Sequence, residues 1–203
     1  MKLSHLSIGD KVAKILADSL ADLPDIESVD ISDNSLTDLS LVPCLQALSK
    51  IRNLTELNLS SNTIGPKAAK AISEYLSSSN CPLKKLIIQN SDVNDYECEK
   101  FITALQNNNN LIYLDLSDNR IGSAEALNFV RPNLITGGEA IAALLRSSKT
   151  ELKILKLGWN MIRLHSAVDL ASSLNYNKTL QYLDLSCNSL GRDGGETLGK
   201  FFL

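Results

Sequence analysis

The feature that most constrains this chain is an internal repeat, a nine-residue pattern that occurs six times. Each copy has aliphatic residues at positions 1, 4 and 6, and position 9 is usually asparagine. The copies start at residues 26, 54, 83, 111, 152 and 180, and all adjacent starts lie 28 or 29 residues apart except the fourth and fifth, which are 41 apart. A fixed period of this length predicts a solenoid, because one unit cannot bury its apolar face alone. The pattern therefore predicts a single domain over residues 1–203, with a partial repeat at 1–25 and an insertion at about 123–135.

Each repeat unit combines two kinds of periodicity. Alternate aliphatic residues such as Leu57 and Leu59 are typical of a short strand with one buried face. A helical spacing follows, in which Ala69, Ile72 and Leu76 share one face. Strand and helix in alternation predict right-handed crossovers and a parallel sheet. Since helices pack roughly 10 Å apart and strands only about 4.8 Å apart, the stack must curve, with strands on the concave side and helices on the convex side.

Position 9 is the least generic part of the pattern. A buried turn after each strand leaves backbone N–H and C=O groups that need partners, and an amide side chain both donates and accepts. We therefore assign a structural role to the asparagines that fill this column, which are Asn34, Asn62, Asn119, Asn160 and Asn188. Ser91 occupies the position in the third full repeat, and a hydroxyl can satisfy fewer groups, so we expect a locally weaker ladder there.

The six copies, such as LTELNLSSN from Leu54 and LIYLDLSDN from Leu111, resemble leucine-rich repeats of the ribonuclease-inhibitor-like subclass. The sensor repeats of NOD-like receptors, the Ran GTPase-activating protein and leucine-rich repeat effectors of intracellular bacteria are similar. The resemblance covers nearly the whole chain. It implies an α/β horseshoe that binds proteins, but says little about any activity, because one fold carries many functions.

Composition excludes several classes of function. A net charge of −3 does not suit a nucleic-acid-binding protein, and no apolar run is long enough to span a membrane. The four cysteines are widely spaced, and with only two histidines we expect neither a metal site nor a cofactor. The first ten residues lack the apolar core of a secretory signal. We therefore expect a cytoplasmic protein with reduced thiols, or one in a host cytosol if it is a translocated effector.

The variable strand positions predict where a partner binds. The first two full repeats place acidic and polar residues on the concave face, whereas the later repeats collect aromatic, aliphatic and basic residues there. Aromatic side chains are favoured at binding hot spots because they bury a large area at little entropic cost. The predicted partner-binding residues are Tyr113, Ile154, Trp159, Tyr182, Lys153, Lys156, Lys85 and Ile112. The alternative is that these rings only cover neighbouring side chains on the sheet.

One insertion breaks the regular period of the repeats. The insertion at about 123–135 carries Phe129 and Arg131 and is either a functional loop beside Trp159 or a neutral insertion.

Neither end of the chain shows a polar cap: Val12 and Ile15 continue an apolar pattern at the start, and Phe201 and Phe202 stand near the end. We expect self-association through these uncapped ends.

These observations predict a non-enzymatic protein–protein interaction scaffold. No Ser-His-Asp set or phosphate-binding glycine loop is present in the sequence, and the paired glycines before two helices are typical of turns. The alternative is a GTPase-activating protein resembling the Ran activator, for which Arg120 is the candidate rim arginine. An effector of an intracellular bacterium that binds a host protein would use the same mechanism in another setting.

Overall fold

The computed structural model of the protein describes residues 1–20, 23, 25–123 and 135–201, with the side chain of residue 201 left out. Most of the predicted insertion, including Phe129 and Arg131, lies outside these residues, and so does Phe202. Val12 and Ile15 are exposed on the first helix, whose buried face is formed instead by Ala13, Ala17 and Leu20. Self-association through the ends stays a prediction.

Helices and three-residue strands alternate along the described residues. The helices are α1 (Gly9–Leu20), α2 (Asp38–Leu48), α3 (Pro66–Ser77), α4 (Asp95–Leu105), α5 (Gly137–Arg146), α6 (Leu164–Ser173) and α7 (Gly191–Phe201). The strands are β1 (Ser28–Asp30), β2 (Glu56–Asn58), β3 (Lys85–Ile87), β4 (Tyr113–Asp115), β5 (Ile154–Lys156) and β6 (Tyr182–Asp184). Each strand comes from one of the six predicted repeats.

The strands form one sheet in sequence order, and every neighbouring pair is parallel. Their central residues line up in a single row, which consists of Val29, Leu57, Leu86, Leu114, Leu155 and Leu183. All of these are buried except Leu183, which is half-buried. The predicted α/β solenoid is confirmed, since the aliphatic positions of the repeat face the core between sheet and helices.

The asparagine column bonds each turn to the repeat before it. The amide nitrogen of Asn62 donates to the carbonyls of Ile31, Leu59 and Ser60 at 3.0, 2.9 and 3.3 Å. Its Oδ1 accepts from the backbone N–H groups of Asn34 and Leu36 at 3.2 and 3.0 Å. One side chain thus satisfies buried groups of two neighbouring repeats.

Ser91 interrupts this ladder. Its hydroxyl donates to the carbonyl of Gln89 within the same turn. The N–H of Ile64 in the preceding repeat donates instead to the backbone carbonyl of Ser91 at 3.1 Å. The backbone replaces part of what an amide would supply, and the shorter side chain does not reach the previous strand.

A second set of contacts between repeats, which the sequence analysis missed, uses aspartates near the start of three helices. Partial burial alone would raise the pKa of Asp10, but hydrogen bonds from Ser40 and Thr37 outweigh it and hold the pKa below its ordinary value. Asp38 accepts from the N–H groups of Gly65 and Ala68 at 3.1 and 2.9 Å. Asp38 therefore caps α3, where unpaired N–H groups and the helix dipole favour negative charge, and Asp10 binds the N-cap residue and the first turn of α2.

Asp95 has the same role at the predicted insertion. Its Oδ1 accepts from Gly122 N–H at 2.8 Å and from Gly137 N–H at 2.5 Å. These glycines stand on either side of the insertion, and Asp95 is buried. One carboxylate thus holds together the two ends between which the regular period is broken.

Asn119→Leu tests the ladder. The substitution leaves the N–H groups of Ser91 and Val93 without their acceptor, so we expect a loss of about 1–3 kcal/mol in the free energy of unfolding. Urea unfolding followed by circular dichroism measures it. The exposed Asn109→Leu is the control, and equal stability of the two variants would show that the column is dispensable.

Asp95→Ala tests the carboxylate contacts. We expect a loss of about 2–4 kcal/mol, because two buried N–H groups lose a charged acceptor, and a smaller loss for Asp95→Asn, which keeps an acceptor oxygen. Asp193→Ala is a matched control in the exposed first turn of α7. A loss for Asp95→Ala no larger than that of the control would contradict the assignment.

Candidate binding surface

The sheet register aligns four of the residues predicted to bind a partner in one column. Tyr113, Ile154 and Tyr182 lie side by side as the first residues of β4, β5 and β6. Lys85 precedes them in the same column on β3. Tyr182 is 51% exposed and Lys153 is also exposed, whereas Tyr113, Ile154, Ile112, Lys85 and Lys156 are half-buried.

Tyr113 is held within the surface by its neighbours. The ammonium groups of Lys85 and Lys156 lie 5.3 and 5.5 Å from the centroid of its ring, within cation–π range. Its hydroxyl donates to Asp115 Oδ2 at 3.3 Å. The Tyr113 ring therefore covers side chains of the adjoining strands, which is the alternative to partner binding that the sequence left open.

The lysines beside Tyr113 are paired with carboxylates. Lys85 Nζ lies 3.7 Å from Glu56 Oε2, and Lys156 Nζ lies 3.6 Å from Asp115 Oδ2. The interaction with Tyr113, followed by the charge of Asp115, raises the pKa of Lys156 despite partial burial, which acts in the opposite direction. Asp115 stands at a strand position that the sequence pattern assigns to the groove, yet it is only 5% exposed because it lies beneath this network.

Trp159 lies at the edge of the surface, in the turn after β5. The residue before the asparagine column has a left-handed backbone in all six repeats, with φ between 50° and 56° at Asp33, Ser61, Asn90, Asp118, Trp159 and Cys187. Short polar residues tolerate this conformation, whereas a bulky aromatic residue does so at a cost. The Trp159 side chain is 65% exposed and makes no hydrogen bond to any described residue. Core packing therefore does not explain why tryptophan occupies this turn.

Two apolar residues that the sequence analysis missed continue the surface from Trp159. Met161 and Leu164 are 45% and 66% exposed, while Asn160 and Ile162 between them are buried. Leu164 also has a positive φ, of 47°. We call the exposed set Trp159, Met161 and Leu164 the rim ridge. A comparison of repeats could have found Met161, because the equivalent residues Thr63, Arg120 and Ser189 are polar.

Other chemistry finds little support in the described part of the chain. No group of three or more His, Cys, Asp or Glu residues there could hold a metal ion, and no helix there is long and apolar enough to cross a membrane. Cys44, Cys81 and Cys98 are buried free thiols, and burial raises the pKa of Cys44 to about 11. Cys187 is free and exposed. These thiols are unreactive where they are buried.

Comparison with known proteins identifies the class of fold and repeat. The family profile described as Leucine Rich repeat matches residues 50–73, 107–124 and 176–199. An internalin from Listeria monocytogenes superposes with a TM-score of 0.52 over 98% of this chain and 56% of that one, at 18% identity. The protein is a right-handed leucine-rich repeat solenoid with a concave parallel sheet and convex helices.

Its repeats are similar to those of ribonuclease inhibitor and of NACHT, LRR and PYD domains-containing proteins. The chain is 28% identical to pig ribonuclease inhibitor over 204 residues, which is 100% of this chain and 42% of the inhibitor. It is 29% identical over 199 residues to human NACHT, LRR and PYD domains-containing protein 2, which is 98% of this chain and 18% of that protein. The chain thus spans less than half the length of these relatives. The predicted resemblance to both groups is confirmed.

Trp159→Asn tests whether the tryptophan is strained in its turn. Asparagine tolerates the left-handed conformation better than alanine does, so we expect Trp159→Asn to be more stable than Trp159→Ala by about 0.5–1 kcal/mol. Both variants lose the ring, so the difference isolates the backbone. Both variants lack the single tryptophan of the chain, so tryptophan fluorescence cannot report their unfolding. Urea unfolding is therefore followed by circular dichroism. A more stable alanine variant would contradict the argument.

Proposed function

We propose that this protein is a non-enzymatic scaffold that binds a protein partner on its concave face, at the end formed by β4, β5 and β6. The observation that carries the proposal is Trp159, a large exposed ring in a turn whose backbone favours asparagine or glycine. Strained positions that packing does not require are concentrated at functional sites. A tryptophan on a rigid repeat scaffold is suited to be a binding anchor.

The neighbouring side chains support an interface of useful size. Tyr182 projects from the same end of the sheet, and Ile154 lies between it and Tyr113. The lysine–carboxylate pairs around Tyr113 fix that part of the surface before any partner arrives, which reduces the entropy lost on binding. We propose that Trp159 and Tyr182 are the anchors, with Ile112, Ile154 and Lys153 around them and with Tyr113, Lys85 and Lys156 as their fixed support.

The relatives favour a protein as the ligand. The name of ribonuclease inhibitor states that it acts on another protein, a ribonuclease. By analogy we propose a protein partner here, without a cofactor. The free state of all four cysteines supports a cytoplasmic setting, which for a translocated effector would be the host cytosol.

The structure does not favour the GTPase-activating alternative. Arg120 is exposed on the rim, but its Nε lies 2.9 Å from Asp92 Oδ1. That pairing offsets the charge that an arginine would bring to a transferring phosphoryl group. The scaffold is therefore the function that the geometry supports best.

Affinity capture with matched variants tests the proposal. We expect Trp159→Ala and Tyr182→Ala to lose partners that the wild-type chain retains, and each to raise the Kd of a purified partner about thirtyfold, which corresponds to about 2 kcal/mol. Tyr176→Ala is the control. The Tyr176 side chain is 67% exposed, close to the 65% of Trp159, but it follows α6 on the helical side. Loss of the partner with Tyr176→Ala, or its retention by both concave-face variants, would contradict the proposed site.

A further inference from the structure

The rim ridge extends the surface over the edge of the sheet. Trp159 and Met161 are exposed while Asn160 and Ile162 are buried, so the two exposed side chains both lie on the outer side of this turn. Leu164 follows as the first residue of α6. The ridge thus gathers three exposed apolar side chains within six residues of one repeat, and partner proteins use exposed patches of this kind.

Ile135, in the preceding repeat, is also exposed. It stands next to Thr136, whose hydroxyl lies 2.6 Å from that of Ser166, and Leu164 is two residues before Ser166. The preceding repeat therefore adds an exposed apolar residue in the same region as the ridge.

The ridge stands at one end of a polar trough that runs across the repeats. This trough has a volume of about 610 Å³ and is lined by Asp33, Ser61, Asn62, Thr63, Asn90, Asp92, Asp118 and Arg120. Trp159 follows Asp118 in one column of equivalent positions, and Met161 follows Arg120 in the other. An occupant of the trough would therefore reach the ridge directly.

The charge of the trough defines what such an occupant must carry. Three carboxylates face a single guanidinium, which is already paired with Asp92. His5 contacts Asp33, and the Gln89 amide donates to Asp118 at 2.7 Å, but a carboxylate has capacity for more than one donor. On the sheet side of the ridge, Lys156 is offset by Asp115. The trough is thus complementary to a positively charged chain.

Its length sets the size of the occupant. Asp33 and Trp159 lie four repeats apart, so at ~4.8 Å per repeat the trough and ridge span roughly 20 Å, the length of about six residues of extended chain. The side chains of Ser61, Thr63 and Asn90 offer hydrogen bonds to its backbone.

We propose that the partner docks an extended segment of about six residues along this rim, with an apolar side chain on the ridge and basic side chains over Asp118 and Asp92. A Lys or Arg beside the apolar residue would contact both the Trp159 ring and the Asp118 carboxylate. This inference rests on the proposed function and names the chemistry of the partner.

Selection from a random decapeptide display library on the whole chain tests it. We expect enriched peptides to combine Lys or Arg with an aliphatic or aromatic residue, and a synthetic peptide of that kind to change the Trp159 fluorescence. Met161→Ser and Asp118→Asn should each raise its Kd at least tenfold, and Tyr176→Ala should not change it. Asparagine suits the left-handed turn at Asp118, so this variant keeps the fold.

Enrichment of acidic or purely apolar peptides, the absence of enrichment, or a Kd unchanged by both rim variants would overturn the inference. Its failure is separable from that of the proposed function. If Trp159→Ala and Tyr182→Ala lose the protein partner while Met161→Ser and Asp118→Asn keep it, the concave-face function stands and the rim segment is wrong.

Discussion

The turn after each strand is the constraint on which the rest of this structure depends. Its backbone passes through a left-handed residue and then buries its polar groups between repeats, where water cannot reach them. An asparagine amide meets that requirement from both sides, donating to carbonyls just after two neighbouring strands and accepting from the previous turn. Because each asparagine serves the repeat before it, neighbouring repeats are bound into one stack.

The same constraint leaves other positions free to vary. Once the turn is fixed by its amide, the left-handed residue beside it contributes little to the core and can carry any side chain that the backbone tolerates. Across the first four repeats this residue is aspartate, serine or asparagine. In the fifth it is Trp159, and the exposed Met161 lies two residues further on the same outward side. The residues that hold the stack together and those of the proposed binding surface thus lie only one or two positions apart.

The sequence predicted the fold well because the repeat appears six times and each copy constrains the next. The aliphatic positions and Asn34, Asn62 and Asn119 could be assigned from their spacing alone. The Asp10, Asp38 and Asp95 contacts could not, since aspartate at the start of a helix has a local explanation and its acceptor role toward the next repeat appears only in three dimensions.

The candidate site was predictable only in outline. The register of Tyr113, Ile154 and Tyr182 followed from the repeat. The burial of Asp115 and the positions of the two lysines over Tyr113 depend on side-chain packing, which the repeat pattern does not specify. Met161 and Leu164 lie beyond the nine-residue pattern, so the strand positions of that pattern did not predict their exposure.

Acrylamide quenching of fluorescence measures the exposure of Trp159 specifically, because the chain contains one tryptophan. We expect the indole of the free protein to be readily quenched and a saturating protein partner to protect it. An indole already shielded in the free chain, or one quenched equally with and without the bound partner, would contradict the claim that this turn presents Trp159 for binding.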